Sequence, residues 1–169
     1  TELRLEPYVL PAADVGPENP LPVFRAPQYD GNIDAEAHHI PESDLVGLGC
    51  ATGHRVLPHR MQDGYTRKRT VRELRSIVLE NDILRVTVLP QVGGKVASIY
   101  HKPLDRELIY RNPVFQPGNL AIRNAWTSGG IEWNCGQLGH HYLACSPVHC
   151  ARVGGLDGSP VLRLYVWDA

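Results

Sequence analysis

Between Ser76 and Tyr100 the chain keeps returning to one pattern, short β-branched runs separated by turn residues, and that pattern constrains the fold more than any other feature. Ser76-Ile77-Val78-Leu79 and Ile83 to Leu89 flank the turn-prone Glu80-Asn81-Asp82, which predicts two antiparallel strands. In the second run Leu84, Val86 and Val88 fall on one side and Arg85 and Thr87 on the other, the alternation of a strand with one buried face. Pro90 ends it. Gly93-Gly94 can supply the positive φ angles of a tight reversal, Lys95 to Tyr100 reads as a third strand, and Lys102-Pro103-Leu104-Asp105 reads as a turn into a fourth over Glu107 to Arg111. No stretch of about twelve residues keeps apolar positions at helical spacing, so the predicted class is all-β. Sandwich and barrel both satisfy the pattern at this level.

Upstream the texture differs. From Thr1 to about Tyr65, Pro7, Pro11, Pro17, Pro20, Pro22, Pro27 and Pro41 remove donors that helices and central strands require. Leu5, Tyr8, Val9, Val23 and Phe24 are spaced to lie along another surface without making a core of their own. The predicted organisation is an extended, Pro/Gly-rich arm over residues 1–69 packed on a sandwich portion over residues 70–169. The strand-like alternation from Val161 stops at Ala169 with no cap or polar tail, and Met61 is the single methionine, so the reading is of an incomplete portion of a larger protein.

The 169 residues carry 17 basic and 18 acidic side chains, a formal charge of -1, which gives no broad electrostatic footprint for nucleic acid or an anionic membrane surface. The run Arg67-Lys68-Arg69, with Arg72 and Arg75, is interrupted by Glu73 and reads as a solvated face. No run approaches the roughly 20 apolar residues of a membrane helix, and the N-terminus lacks the basic and apolar regions of a secretion signal. A cytoplasmic protein with reduced thiols is expected, because the four cysteines are sparse for this length and three of them crowd the C-terminal third.

Chemistry concentrates between Asn112 and Cys150. Arg123, Asn124, Trp126, Glu132, Trp133, Asn134, Gln137, His140, His141, Tyr142 and His149 form a mixture unlike the strands before them. Pyranoses present hydroxyls that need polar partners and a face of C–H groups that packs on an aromatic ring, which is what this mixture offers. Gly129-Gly130 would let the backbone pass close to a ligand or make the turn that aims Glu132. Each residue also has a structural reading: tryptophans as core, Arg123 paired with a carboxylate, Asn134 capping a turn.

His140 and His141 are neighbours, so on a strand they would point to opposite faces and one of them would be structural. A histidine there could donate a proton to a ring or glycosidic oxygen while Glu132 takes one or accepts hydroxyl hydrogen bonds. Glycoside cleavage ordinarily uses two carboxylates, and this segment offers Glu132 alone. Cys135, Cys145, Cys150 and the histidines are of zinc-ligating type, but there is no C-x-x-C knuckle and a metal-assisted hydrolase is the weaker reading. A nucleophilic Cys135 beside His140 has only nearness in sequence behind it. No cofactor is expected.

Residues 77–113, IVLENDILRVTVLPQVGGKVASIYHKPLDRELIYRNP, resemble the opening of galactose-mutarotase-like (aldose 1-epimerase-like) domains. With GGIEWNCGQLGHHYLACSPVHCARV, residues 129–153, the chain resembles more closely the bacterial domain-of-unknown-function family 5107, often found ahead of tetratricopeptide repeats. The resemblance implies a β-supersandwich with a pocket on the concave face of its larger sheet, and a carbohydrate as ligand. GGIEWNCGQLGHH is similar to a hexose-phosphate epimerase pattern, which implies Gly129, Gly130, Trp133 and His140 or His141 as pocket residues. Glu132 departs from that pattern, and the carboxylate base such enzymes draw from late in the domain would lie beyond this chain. The expected function is carbohydrate recognition, with catalysis by Glu132, His140 and His141 and binding by Arg123, Asn124, Trp126, Trp133 and Asn134. From a different class comes a non-catalytic interaction module that docks on the tetratricopeptide region of its own protein. An incomplete sandwich also exposes edge strands, which predicts self-association.

Overall fold

A computed structural model describes residues 1–20, 22–23, 57–121, 123–134 and 140–167. The fold is all-β: every regular element among the described residues is a strand. In chain order these are β1 (Glu2–Ala13), β2 (Pro22–Val23), β3 (Leu57–Arg60), β4 (Arg69–Glu80), β5 (Leu84–Leu89), β6 (Lys95–His101), β7 (Arg106–Glu107), β8 (Gly118–Ala121), β9 (Asn124–Trp126), β10 (His149–Gly154) and β11 (Pro160–Tyr165). The chain divides into two compact units, Asn19–Met61 and the remainder. In the smaller, β2 pairs with β3 antiparallel, and the Asn19 amide donates to the Met61 carbonyl at 2.8 Å. Phe24 and the other arm residues from 24 to 56 lie outside the described residues.

The larger unit is built on a five-stranded antiparallel sheet in the order β1-β4-β5-β6-β7. The β4–β5 hairpin forms where the β-branched runs predict it. Asn81 fixes the turn, its side-chain oxygen accepting from the Ile83 and Leu84 amides at 2.9 and 2.7 Å. Gly93 and Gly94 adopt φ of +62° and +68°; a Cβ on Gly93 would stand 2.8 Å from the Leu143 carbonyl oxygen, so the reversal needs glycine for space as well as for torsion.

β1 occupies the sheet edge and pairs with β4 along its whole length, from Glu2 opposite Glu80 to Ala13 opposite Arg69. An edge strand tolerates Pro7 and Pro11 because a missing N–H there need not break a ladder. Pro11 and Ala13 bond outward instead: the Pro11 carbonyl accepts from Phe115 N and Ala13 N donates to Phe115 O, both at 2.9 Å. That pins Phe115 onto a core of Leu10, Ala12, Leu89, Val92, Ala97, Ala125 and Cys145. Two short hairpins, β8–β9 and β10–β11, complete the unit.

Two local expectations change. The strand predicted over Glu107 to Arg111 shrinks to Arg106–Glu107, because after Leu108 the backbone turns away and the Tyr110 carbonyl accepts the Gly130 amide instead. Thr87, expected on the solvent side of its strand, is buried, as are its neighbours Ser76 and Ser98; the polar side of the sheet is the floor of a recess rather than an outer surface.

A bulge between β5 and β6 decides what reaches the site. Thr87 pairs with Ser98 but Val88 pairs with Val96, so β6 carries one extra residue, Ala97. Because side chains alternate with period two, the extra residue turns Lys95 onto the face it shares with Thr87 and Leu89; in an unbroken register it would point to the other face.

Candidate functional site

β9 and the loop after it carry Trp126 and Glu132, two of the candidate residues. Asn124 sits at φ +78°, a left-handed conformation that asparagine adopts more readily than most residues, at the point where the β8–β9 register breaks. Trp126 follows at the end of β9. Beyond it Gly129 and Gly130 reverse the chain at φ of +86° and +70°. A Cβ on Gly130 would overlap the Val96 carbonyl oxygen, so only glycine allows so close an approach. Immediately after, Ile131 and Val96 exchange backbone hydrogen bonds of 2.9 and 3.0 Å, which clamps the loop to β6 and presents Glu132 beside Trp126.

Glu132 is the hub. One carboxylate oxygen accepts the Trp126 indole N–H at 2.6 Å, and the other lies 3.0 Å from His140 Nδ1. The Trp126 and His140 rings stand 5.6 Å apart and tilted by 59°, as an edge-to-face aromatic pair would. A carboxylate accepts only, so Nδ1 is the protonated nitrogen in this contact and Nε2 keeps the free lone pair when the ring is neutral. The result is an oriented imidazole and an indole edge held on two sides of one carboxylate.

Lys95 lies behind this group and is only 7% exposed. Its ammonium donates to the Thr127 carbonyl and, at 3.1 Å, to the Thr127 hydroxyl, and it stands 5.8 Å from the centre of the Trp126 ring. Burial pushes its pKa down, opposed by the charge of Glu132. Neither Lys95 nor Thr127 stands out in the sequence; the one available signal is a lysine opening a strand directly after a glycine pair.

The other expected residues go elsewhere. Arg123 is buried, donates to Ser146 Oγ at 3.2 Å and pairs with Glu18, so it ties two segments together. His141 is buried against Tyr142 with ring centres 4.4 Å apart. Trp133 donates its indole N–H to the Gly94 carbonyl at 2.8 Å and lines, with His141, Val148, Leu162 and Leu164, an apolar hollow of about 400 Å³. Asn134 is exposed. Cys135 and Gln137 lie outside the described residues. The Cys145 thiol is pushed up to about 12, first by burial, which leaves it protonated at neutral pH and without nucleophilic character.

Residues 52–163 match the family described as Domain of unknown function (DUF5107). The chain belongs to that family. Among solved structures, the DUF5107 chain is similar to a TPR-domain containing protein from Parabacteroides distasonis ATCC 8503, with a TM-score of 0.61 and 19% identity over 90% of this chain. At that identity the likeness is one of fold. The chain spans 22% of that protein's length. All of the Trp126–Glu132–His140 group, and Lys95 with it, falls inside the residues that match DUF5107.

Proposed function

We propose that this DUF5107 chain is a carbohydrate-recognising, mutarotase-like portion of a larger cytoplasmic protein, with its sugar held at Trp126, Glu132 and His140. The observation that carries the reading is the double engagement of Glu132 by the Trp126 indole and the His140 imidazole. It leaves a fixed carboxylate, an oriented imidazole and an aromatic face within one small group, the partners that a pyranose's hydroxyls and C–H face require. In the finer form of the proposal the fold is a β-supersandwich of which this chain supplies one portion.

In the catalytic version His140 passes a proton to or from the ring or glycosidic oxygen, and Glu132 both orients the imidazole and accepts a hydroxyl hydrogen bond. The complementary carboxylate comes from the remainder of the parent protein, which makes epimerisation or glycoside hydrolysis an activity of the whole rather than of these residues alone. Thermal-shift measurements against monosaccharides, sugar phosphates and disaccharides test the reading, since a ligand that binds only the folded chain raises its melting temperature. The expected result is a shift that disappears in Glu132→Gln and Trp126→Leu; the absence of a shift with any sugar in the full-length protein removes the proposal.

A second reading, a non-catalytic docking module for a TPR region of the same protein, draws support from the name of the structural neighbour and from the 22% share of that chain which aligns. Co-purification of this chain with the separately expressed remainder of its parent protein, undiminished in Glu132→Gln, is the outcome that reading expects.

A further inference from the structure

The recess on the polar side of the five-stranded sheet shares no lining residue with the Trp126–Glu132–His140 group. It measures about 430 Å³, within the range of about 300–1,000 Å³ usual for small-molecule sites. Its floor is a row of residues set by strand register: Arg85 lies opposite Tyr100, and Tyr100 opposite Glu107. Thr87 faces Ser98 in the next row. Tyr8 and Arg111 stand at one side, the Arg111 guanidinium over the Tyr8 ring at 5.4 Å.

Two polar atoms in this row are buried with no hydrogen-bond partner among the described residues, Nε of Arg85 and Oε2 of Glu107. Each belongs to a side chain that is otherwise engaged: Arg85 pairs with Glu6 through Nη2, and Glu107 accepts from Ser98 Oγ at 2.7 Å through Oε1. A donor and an acceptor that are each shielded from water and unmet are uncommon in folded proteins, so their occurrence as a pair flanking one recess calls for an explanation. Between them lie two strand spacings, about 10 Å along the sheet.

We infer that this recess is a second binding site, for an uncharged polyhydroxylated molecule of one or two pyranose rings. A hydroxyl is both donor and acceptor, so one ligand can satisfy Arg85 and Glu107 after a small rotation of either side chain. Charge selects against ions: among the lining residues Glu6 and Glu107 balance Arg85 and Arg111. Tyr100 contributes its ring rather than its hydroxyl, which already donates to Asp105. With Tyr8 it offers the aromatic surface on which a pyranose C–H face packs.

The test is a titration of the full-length chain with D-glucose, D-galactose, maltose and myo-inositol, and with glycine betaine and inorganic phosphate as charged probes, followed residue by residue in amide NMR spectra. At least one of the polyols is expected to shift the amides of Arg85, Ser98, Tyr100 and Glu107, with affinity falling tenfold or more in Glu107→Gln and unchanged in Glu132→Gln. The second variant separates this site from the one proposed above, because loss of binding in Glu132→Gln alone leaves the recess without a ligand and overturns the inference. If Glu107→Gln does not fold, Arg111→Met, whose side chain is 51% exposed, must weaken the same probe. No shift in these amides with any polyol, or shifts with phosphate or betaine alone, overturns it.

Discussion

The ammonium of Lys95 lies 5.8 Å from the centre of the Trp126 ring, inside the protein, with the Glu132 carboxylate hydrogen-bonded to that same indole. A cation over an aromatic face and a carboxylate at its N–H polarise the ring in the same sense, so the three groups are held as one electrostatic unit. Burial lowers the Lys95 pKa below its ordinary 10.5. Between the lowered value and 10.5 this group binds more protons in the unfolded chain than in the folded one, so its own contribution to stability rises with pH across that window, against an opposing fall above about 9 from the Cys145 thiol, which the folded chain holds protonated. Lys95→Met should abolish the rise and leave stability at pH 7 within about 1 kcal/mol of wild type, because an apolar side chain of similar length removes the cost of a buried charge. Thermal melts from pH 7 to pH 10 check the prediction; a wild-type slope retained in the variant contradicts it.

Glu80 sets the acid limb. Its carboxylate is held down to about 2 by hydrogen bonds from Lys102 and then Arg4. Since the folded pKa lies below the unfolded one, this contribution is complete above about 4.5 and is lost as pH falls toward 2. Glu80→Gln should flatten the fall in melting temperature over that interval and change little at pH 7, and added salt should reduce the wild-type effect because the pairs are partly exposed. Melting curves at low and high ionic strength measure both.

Gly130 tests the loop that carries Glu132. Alanine there must accept a left-handed φ of +70° and displace the Val96 carbonyl. The expected loss of stability is about 1–3 kcal/mol, and under the proposed sugar-binding role the thermal shift should fall by more than stability alone explains, because the clamp that presents Glu132 moves. Alanine at Gly158, also at positive φ but with open space around its Cβ, should cost less. Urea denaturation of the two variants decides.

Cysteine labelling should divide the described thiols cleanly. Cys145, buried and pushed up to about 12, is expected to resist iodoacetamide at pH 8, while the exposed Cys150 reacts. Mass-spectrometric mapping after a short exposure reads the ratio; equal labelling of Cys145 in the folded protein is the contrary result.

The sheet was legible in the sequence because its information is local. Alternation from Ile83 to Leu89, Asn81 in the turn and the glycine pair at Gly93-Gly94 each act over a few residues, so pattern reading places β4, β5 and β6. The same reading falls short at Glu107 to Arg111, where a hydrogen bond between Tyr110 and Gly130, distant in sequence, outcompetes the ladder. Within the functional segment, residue types mark Trp126, Glu132 and His140 together with Arg123, Asn134 and His141, and nothing local separates the groups.

By itself the sequence determined the all-β class, the hairpins and the segment where polar and aromatic residues concentrate, since period, turn residues and composition are properties of short stretches. Tertiary structure decided which residues meet. The one-residue bulge at Ala97 turned Lys95 toward Trp126, the approach of Gly130 to Val96 delivered Glu132, and burial drew Arg123 to Glu18 and His141 to Tyr142. These are consequences of register and packing between distant segments, where an extra residue reverses a side chain and a missing Cβ admits a strand, and no property of the neighbouring residues records the outcome.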